Sequence, residues 1–260
     1  MEVIDEAKLR EFAERGYLLL CGVVPGDLID DASRSIDDLI AQQPPPMGTQ
    51  GHYFPRVTNV ETFLPLLLRS SAFALAESLV GVGRLTIPRE AQVALNIPPH
   101  LHRPGGHHLD GVSVTEPDGR PGTFTLLAGV LITDQPRPDM GNLWVWPGTH
   151  LTHAALFREQ GPDGLMASGG YPDIALPEPI QILGQAGDLL LAHYLLGHNI
   201  GGNVSSVTAA QSISASNEMI MWPIGVRVFR RLGAISTWCA PTWKMTGRNL
   251  VTSESDGHST

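Results

Sequence analysis

The order of periodicities along the chain predicts an α+β fold, a helical N-terminal third followed by a double-sheet jelly roll. Two observations carry that expectation. Apolar residues recur at helical spacing up to about residue 80. From Leu85 the period shortens towards that of strands, and 28 Gly and 21 Pro supply the tight turns that many short strands need.

The elements follow in order. Residues 5 to 15 predict an amphipathic helix, with Asp5 as its cap, Ile4 as a hydrophobic staple and Gly16 at the left-handed position past its end. Tyr17 to Cys21 predicts a short buried strand. A second helix is expected from about Asp27 to Ile40, with Leu28, Ala32, Ile36 and Leu39 on one face; Pro44, Pro45 and Pro46 stop it. Residues 47 to 60 read as loop, and 62 to 80 as two short helices broken near Ser70. Strands are expected at Gln92–Ile97, Phe124–Ile132, Leu143–Trp146, Ile180–Leu183 and Leu189–His193, with an insertion of weak helical signal at 152 to 178.

Composition excludes several function classes. With 260 residues and 42% hydrophobic content the chain can bury a sizeable core, as one large domain or two small ones, and all-β domains of this size are common as single units. A net charge of -9 argues against non-specific nucleic-acid binding. No apolar run reaches the roughly 18 residues of a membrane span. The charged start MEVIDEAKLREF lacks the order of a signal peptide, and Cys21 and Cys239 make no disulfide framework. A cytoplasmic location is the expectation.

Chemistry concentrates at His107-His108-Leu109-Asp110-Gly111. On an extended strand, residues two apart project from the same face. His108 and Asp110 would therefore offer an imidazole and a carboxylate together, two of the three ligands of a 2-His-1-carboxylate iron site. Alone, His-x-Asp more often marks a turn or surface loop, so a second histidine on a distant strand is required.

Four stretches carry a family resemblance: GYLLLCGVVPGDLID at 16 to 30, His108-x-Asp110, GNLWVWPGTH at 141 to 150, and GDLLLAHYLLGHNIGGNVS at 187 to 205. Together they resemble the phytanoyl-CoA dioxygenase family over roughly residues 5 to 208. The resemblance implies a double-stranded β-helix, cupin-like core. It implies Fe(II) held by His108, Asp110 and His198, with 2-oxoglutarate as cosubstrate, Gln92 helping to bind it, and O2 as oxidant. A small-molecule substrate would be hydroxylated with release of succinate and CO2. A carboxylate at Asp110 favours hydroxylation over halogenation. Substrate choice would come from the 98 to 107 loop, the 152 to 178 insertion and the helical third.

The other histidines read differently. His193 is expected to pack in the core, five positions before His198 on what reads as one strand. His102 and His107 are expected at the entrance or in solvated loop. His100, His150 and His153 read as loop residues, and Asp188 as a turn former. Two other classes stay open: a jelly-roll binding protein without turnover, and a zinc hydrolase with a metal-bound water. The second has no evident general base.

The last reading concerns residues 209 to 260, set apart from a domain at 1 to 208. By the resemblance, an Arg about eleven positions after the third ligand grips the far carboxylate of 2-oxoglutarate; here that position is Ala209. The resemblance also implies a strand such as RAVYFRL, where this chain shows the small, polar Ala209 to Ser216, a poor core strand. Read one frame over, codons compatible with this stretch can encode both the Arg and that strand, and those of Phe229 to Lys244 can encode the amphipathic QEAWSDFDVVRAHLE, with wobble freedom supplying part of the match. Met219, Met221, Trp222, Trp238 and Trp243 have single codons, which force Asp, Val, Ala, Val and Glu in that frame. The tail therefore reads as a frameshifted translation lacking the last core strand and helix, and cosubstrate binding as impaired.

Overall fold

The computed structural model describes residues 4–88, 90–110, 126–166, 172–215 and 226–228. Helix α1, Glu6–Arg15, begins where the Asp5 side chain accepts a hydrogen bond from the Lys8 amide. It ends at Gly16, whose φ of 83° is left-handed. Gly16 is needed a second time, because a Cβ there would lie 2.5 Å from the His150 ring. Strand β1 is Tyr17–Leu20 and helix α2 is Gly26–Gln42, burying Leu28, Ile29, Ala32 and Ile36. The break near Ser70 separates α3, Pro65–Leu68, from α4, Ala72–Val80.

The strands are β2 (Gly51–Tyr53), β3 (Glu90–Ile97), β4 (Leu126–Leu131), β5 (Leu143–Val145), β6 (Ile180–Gln181), β7 (Leu189–His193), β8 (His198–Ile200), β9 (Ala209–Ala215) and β10 (Val226–Val228). They form two antiparallel sheets. The larger runs β1-β7-β4-β9-β3-β2, with β10 also on β4; the smaller runs β6-β5-β8. Alternation sorts the side chains of the larger sheet. Leu18, Leu20, Val93, Leu95, Leu126, Ala128, Leu189 and Leu191 face the helices, which cover the outer face with Leu28, Ile36, Leu67 and Leu75. Tyr17, Ala94, Leu127, Leu190 and Ala192 face inward and pack on Leu143 and Val145 of β5. The second set makes the layer between the sheets, and the site sits within it.

The structure corrects several expectations. The loop at 47 to 60 contains β2, because β3 offers a free edge at Leu95–Ile97. The 152 to 178 stretch, read as a weak insertion, holds part of α5, Thr149–Met166, with a non-helical break at Gly161. His193 and His198 are not on one strand: β7 belongs to the larger sheet and β8 to the smaller.

The stretch from Ala209, read as a poor strand, pairs with β3 from Asn96 to Glu90 and with β4 at Val130 and Leu131. Its place is set by two neighbours whose backbone groups need partners, and that ladder outweighs weak intrinsic strand preference. The small side chains of Ala209 and Ala210 fit closely packed positions and are buried. The start of the strand expected at Phe124, and the tail's expected missing helix, lie outside the described residues.

Candidate metal centre

His198 opens β8, opposite Val145 of β5. Val145 packs into the layer between the sheets, so His198 shares that inner face. His108 does not lie on a full strand as expected. It forms a single antiparallel bridge with His198, two backbone hydrogen bonds of 3.0 and 3.3 Å. That bridge is enough to place His108 and His198 side by side, with ring centres 4.6 Å apart. Asp110 then reaches both: Oδ2 lies 3.3 Å from His198 Nε2, and Oδ1 lies 3.6 Å from His108 Nε2.

All three residues are buried, at 5%, 5% and 3% exposure for His108, Asp110 and His198. One ligand atom from each lies within 4.8 Å of the others, the only such triplet of His, Cys, Asp or Glu among the described residues. Three ligands about 2.1 Å from an ion and at right angles to one another sit about 3 Å apart. The two carboxylate–imidazole spacings need only a small contraction to meet that figure. The donor set, two imidazoles and one carboxylate, suits a non-haem Fe(II) ion with open positions. These residues fit the metal that the sequence implies.

The surroundings fix the orientation of the ligands. His198 Nδ1 donates to the Leu196 carbonyl at 2.9 Å, so the lone pair is on Nε2, the nitrogen beside Asp110. Gly197, just before it, donates to Thr149 Oγ1 at 2.9 Å. Asn199 Nδ2 holds the Gly106 carbonyl at 2.7 Å. Asn203, fully buried, donates to the carbonyls of Asn96 and Val207.

His107, expected at the entrance or in solvated loop, and His153, expected in a loop, are both corrected. Both are buried, and their Nε2 atoms meet at 2.8 Å. His153 Nδ1 donates to the Leu195 carbonyl at 2.7 Å, so its Nε2 accepts and His107 Nε2 carries the proton. The pair ties α5 to the residue before one ligand and to the turn before another. A Cβ on Gly197 would lie 2.6 Å from the His107 ring, so that residue must remain glycine for the pair to form. None of these supporting residues stands out in the sequence, since their partners come from remote segments. Only the 141 to 150 and 187 to 205 motifs, which contain several of them, point that way.

The remaining predicted residues separate. His193 contacts His150, Tyr194 and Phe12 of α1, with ring centres 5.1, 4.7 and 6.4 Å away, and takes no part in the triplet. His150 is buried on α5, with Nε2 3.1 Å from the Ala13 carbonyl, and is no loop residue. Asp188 does shape a turn, accepting from the amides of Gly22 and Gln185. Gln92 shares the inner-face alternation of β3 with Ala94 and Asn96, and its Oε1 is buried without a hydrogen-bond partner. Ala209 is opposite Asn96, and its Cβ would lie 2.5 Å from one added to Gly141.

Burial also holds three histidines neutral. It lowers His107 and His153 from 6.5 to about 4, and His193 to about 3. The unfolded chain therefore binds more protons below pH 6.5, so this stability is complete above 6.5 and is lost as the pH falls towards the folded values. Each ring contributes up to about 1.4 kcal/mol per pH unit in that window. Denaturant unfolding of metal-free protein should show a loss of at least about 2 kcal/mol between about pH 7.5 and pH 5. Equal or greater stability at the lower pH would show that burial does not hold these rings neutral.

No family model and no curated protein matches this chain. Solved structures do. The non-haem alpha-ketoglutarate-dependent epimerase SnoN from nogalamycin biosynthesis aligns over 80% of this chain and 81% of its own, with TM-score 0.56 and 21% identity. EctD from S. alaskensis aligns over 80% and 75%, with TM-score 0.53 and 18% identity. HygX from Streptomyces hygroscopicus aligns over 81% and 86%, with TM-score 0.51 and 20% identity. The chain thus shares the fold of enzymes that use non-haem iron and 2-oxoglutarate. SnoN has been solved with Fe3+ and alpha-ketoglutarate, EctD with iron and with 2-oxoglutarate, and HygX with nickel and 2-oxoglutarate. Among the described residues, no helix is long and apolar enough to cross a membrane.

Proposed function

We propose that this chain is a non-haem Fe(II)- and 2-oxoglutarate-dependent oxygenase of the phytanoyl-CoA dioxygenase type, built on a double-stranded β-helix and hydroxylating a small molecule. The observation that carries it is the buried convergence of His108, Asp110 and His198 between the two sheets. Support comes from neighbours of the same fold solved with nogalamycin RO, 5-hydroxyectoine and hygromycin B, all small molecules. Iron(II), when bound, supplies open coordination positions at which O2 and an oxoacid are activated. The protein's part is to hold His198 in the Nδ1–H tautomer, keep the Asp110 carboxylate between two imidazoles and exclude water by burial.

The far end of 2-oxoglutarate fits less well. Ala209 offers no charge at the position where the resemblance calls for a guanidinium. The inner-face residues across β2, β3 and β9 there are His52, Asn96 and Ala209. Gln92, further along β3, is the proposed polar contact for the cosubstrate. A second reading therefore stands beside the first: a chain impaired as written, whose tail from Ala209 is a frameshifted translation. Its support is the set of single-codon residues in the tail. The nucleotide sequence tests it, since restoring one base near codon 209 should open a continuous frame, and a stop codon just downstream would refute it. Anaerobic reconstitution with Fe(II), followed by an assay of succinate from 2-oxoglutarate, tests the class. Iron binding with slow turnover fits an impaired oxygenase, whereas no iron binding sinks the oxygenase reading.

A further inference from the structure

A second histidine cluster lies outside this centre. His52 is on β2, and His100 and His102 lie in the loop after β3. Their ring centres are 5.3 Å (52–100), 5.2 Å (100–102) and 6.1 Å (52–102) apart. Two imidazoles on one ion at a tetrahedral angle, with metal–nitrogen bonds of about 2.1 Å, have ring centres about 5.2 Å apart. Two of the three spacings match that figure, and the third requires a wider angle. The rings are therefore spaced as ligands on one ion would be, although their nitrogens do not converge as those of His108 and His198 do with Asp110. Convergence on one ion requires side-chain rotation, and His102, exposed at the loop surface, is held among the described residues only by its ring contacts to His100 and His52.

The backbone beneath the cluster is fixed. His100 and Asn203 exchange two backbone hydrogen bonds, of 2.7 and 2.8 Å. Gly51 has φ 78°, and a Cβ on it would lie 2.8 Å from the His100 ring, so glycine lets that ring approach β2. One atom points directly to a missing partner: His52 Nε2 is buried and has no hydrogen-bond partner. The ring's one backbone bond is to Gly201. A buried imidazole nitrogen without a partner carries a desolvation cost that a coordinated ion would offset.

We infer that His52, His100 and His102 form a second metal site, taking one divalent transition ion through three imidazoles. With no carboxylate in the set, the site suits Zn(II), Co(II), Ni(II) or Cu(II) over Mg(II) or Ca(II). The bound ion would clip β2 to the loop that runs on to His107 and His108.

The test is Co(II) binding to tag-free, metal-stripped protein, followed by calorimetry and by the visible absorption of the bound ion. Wild type should bind two ions per chain. The His108→Ala/His198→Ala double variant should keep one, and adding His102→Ala should weaken that one at least tenfold. His52→Ala and His100→Ala in the same background should abolish it. His102 is exposed, so its variant should keep the far-UV circular dichroism of the parent. Absence of Co(II) binding in the folded double variant, or binding indifferent to His102→Ala, overturns the proposal. If the double variant binds as many ions as wild type, the iron reading fails while the second site stands.

Discussion

His108→Ala, Asp110→Ala and His198→Ala should each abolish iron binding at stoichiometric concentrations, while His193→Ala keeps it. The reason is how few donors the centre has. Each ligand supplies one of three, and the remaining two would share a buried cavity with whatever charge is left unpaired. Asp110→Ala should have the largest effect, because it removes the anionic donor placed between both imidazoles. Even changes to residues that only orient ligands cost about 10- to 100-fold in metal affinity, so loss of a ligand must exceed that. His193 contacts helix α1 and His150 instead of the centre, so its loss should appear as a lowered denaturation midpoint with iron content unchanged. Metal content after anaerobic loading and desalting decides the matter. Iron lost in His193→Ala but retained in His198→Ala would reverse the assignment.

Ala209→Arg should tighten 2-oxoglutarate binding by about ten- to a hundredfold. A charge-assisted hydrogen bond contributes about 1.5–3 kcal/mol, and each 1.4 kcal/mol is a factor of ten in affinity. Position 209 starts β9 on the inner face, opposite Asn96, with Gly141 packed closely against it, so circular dichroism must accompany the measurement. A guanidinium there would meet the cosubstrate carboxylate with two parallel bonds. Calorimetric titration of iron-loaded, anaerobic protein gives the comparison, with circular dichroism as the check on folding. A second variant, translated in the restored reading frame from codon 209, should match or exceed the single substitution. Equal affinity in all three proteins would mean that another group holds the cosubstrate and that Ala209 is not a deficit.

Much of the local structure was legible in the chain because its signals are local. Asp5 and Gly16 bracket α1 through bonds within a turn of each end, and period-three-to-four apolar spacing marks α2. The metal triplet was legible in identity, by motif and resemblance, but not in mechanism of placement. Spacing suggested that a strand aligns His108 and Asp110. The structure uses a single bridge to His198, a contact between remote segments that no local pattern encodes.

Tertiary structure alone decided the rest, for one physical reason: hydrogen-bond partners and neighbours in space are not neighbours in sequence. Small residues at 209 to 215 read as a weak strand, yet the open edges of β3 and β4 recruit them. His150 and His153 read as loop residues, and His107 as an entrance or loop residue, because imidazole is equally at home in water and in a satisfied core. Only the fold brings His153 to both His107 and the Leu195 carbonyl, and only the fold gathers His52, His100 and His102. The order of residues established which side chains are available for chemistry and which elements carry them. The packing of one sheet on the other established which of the described histidines meet a carboxylate, which pair with each other and which gather at β2 and the loop after β3.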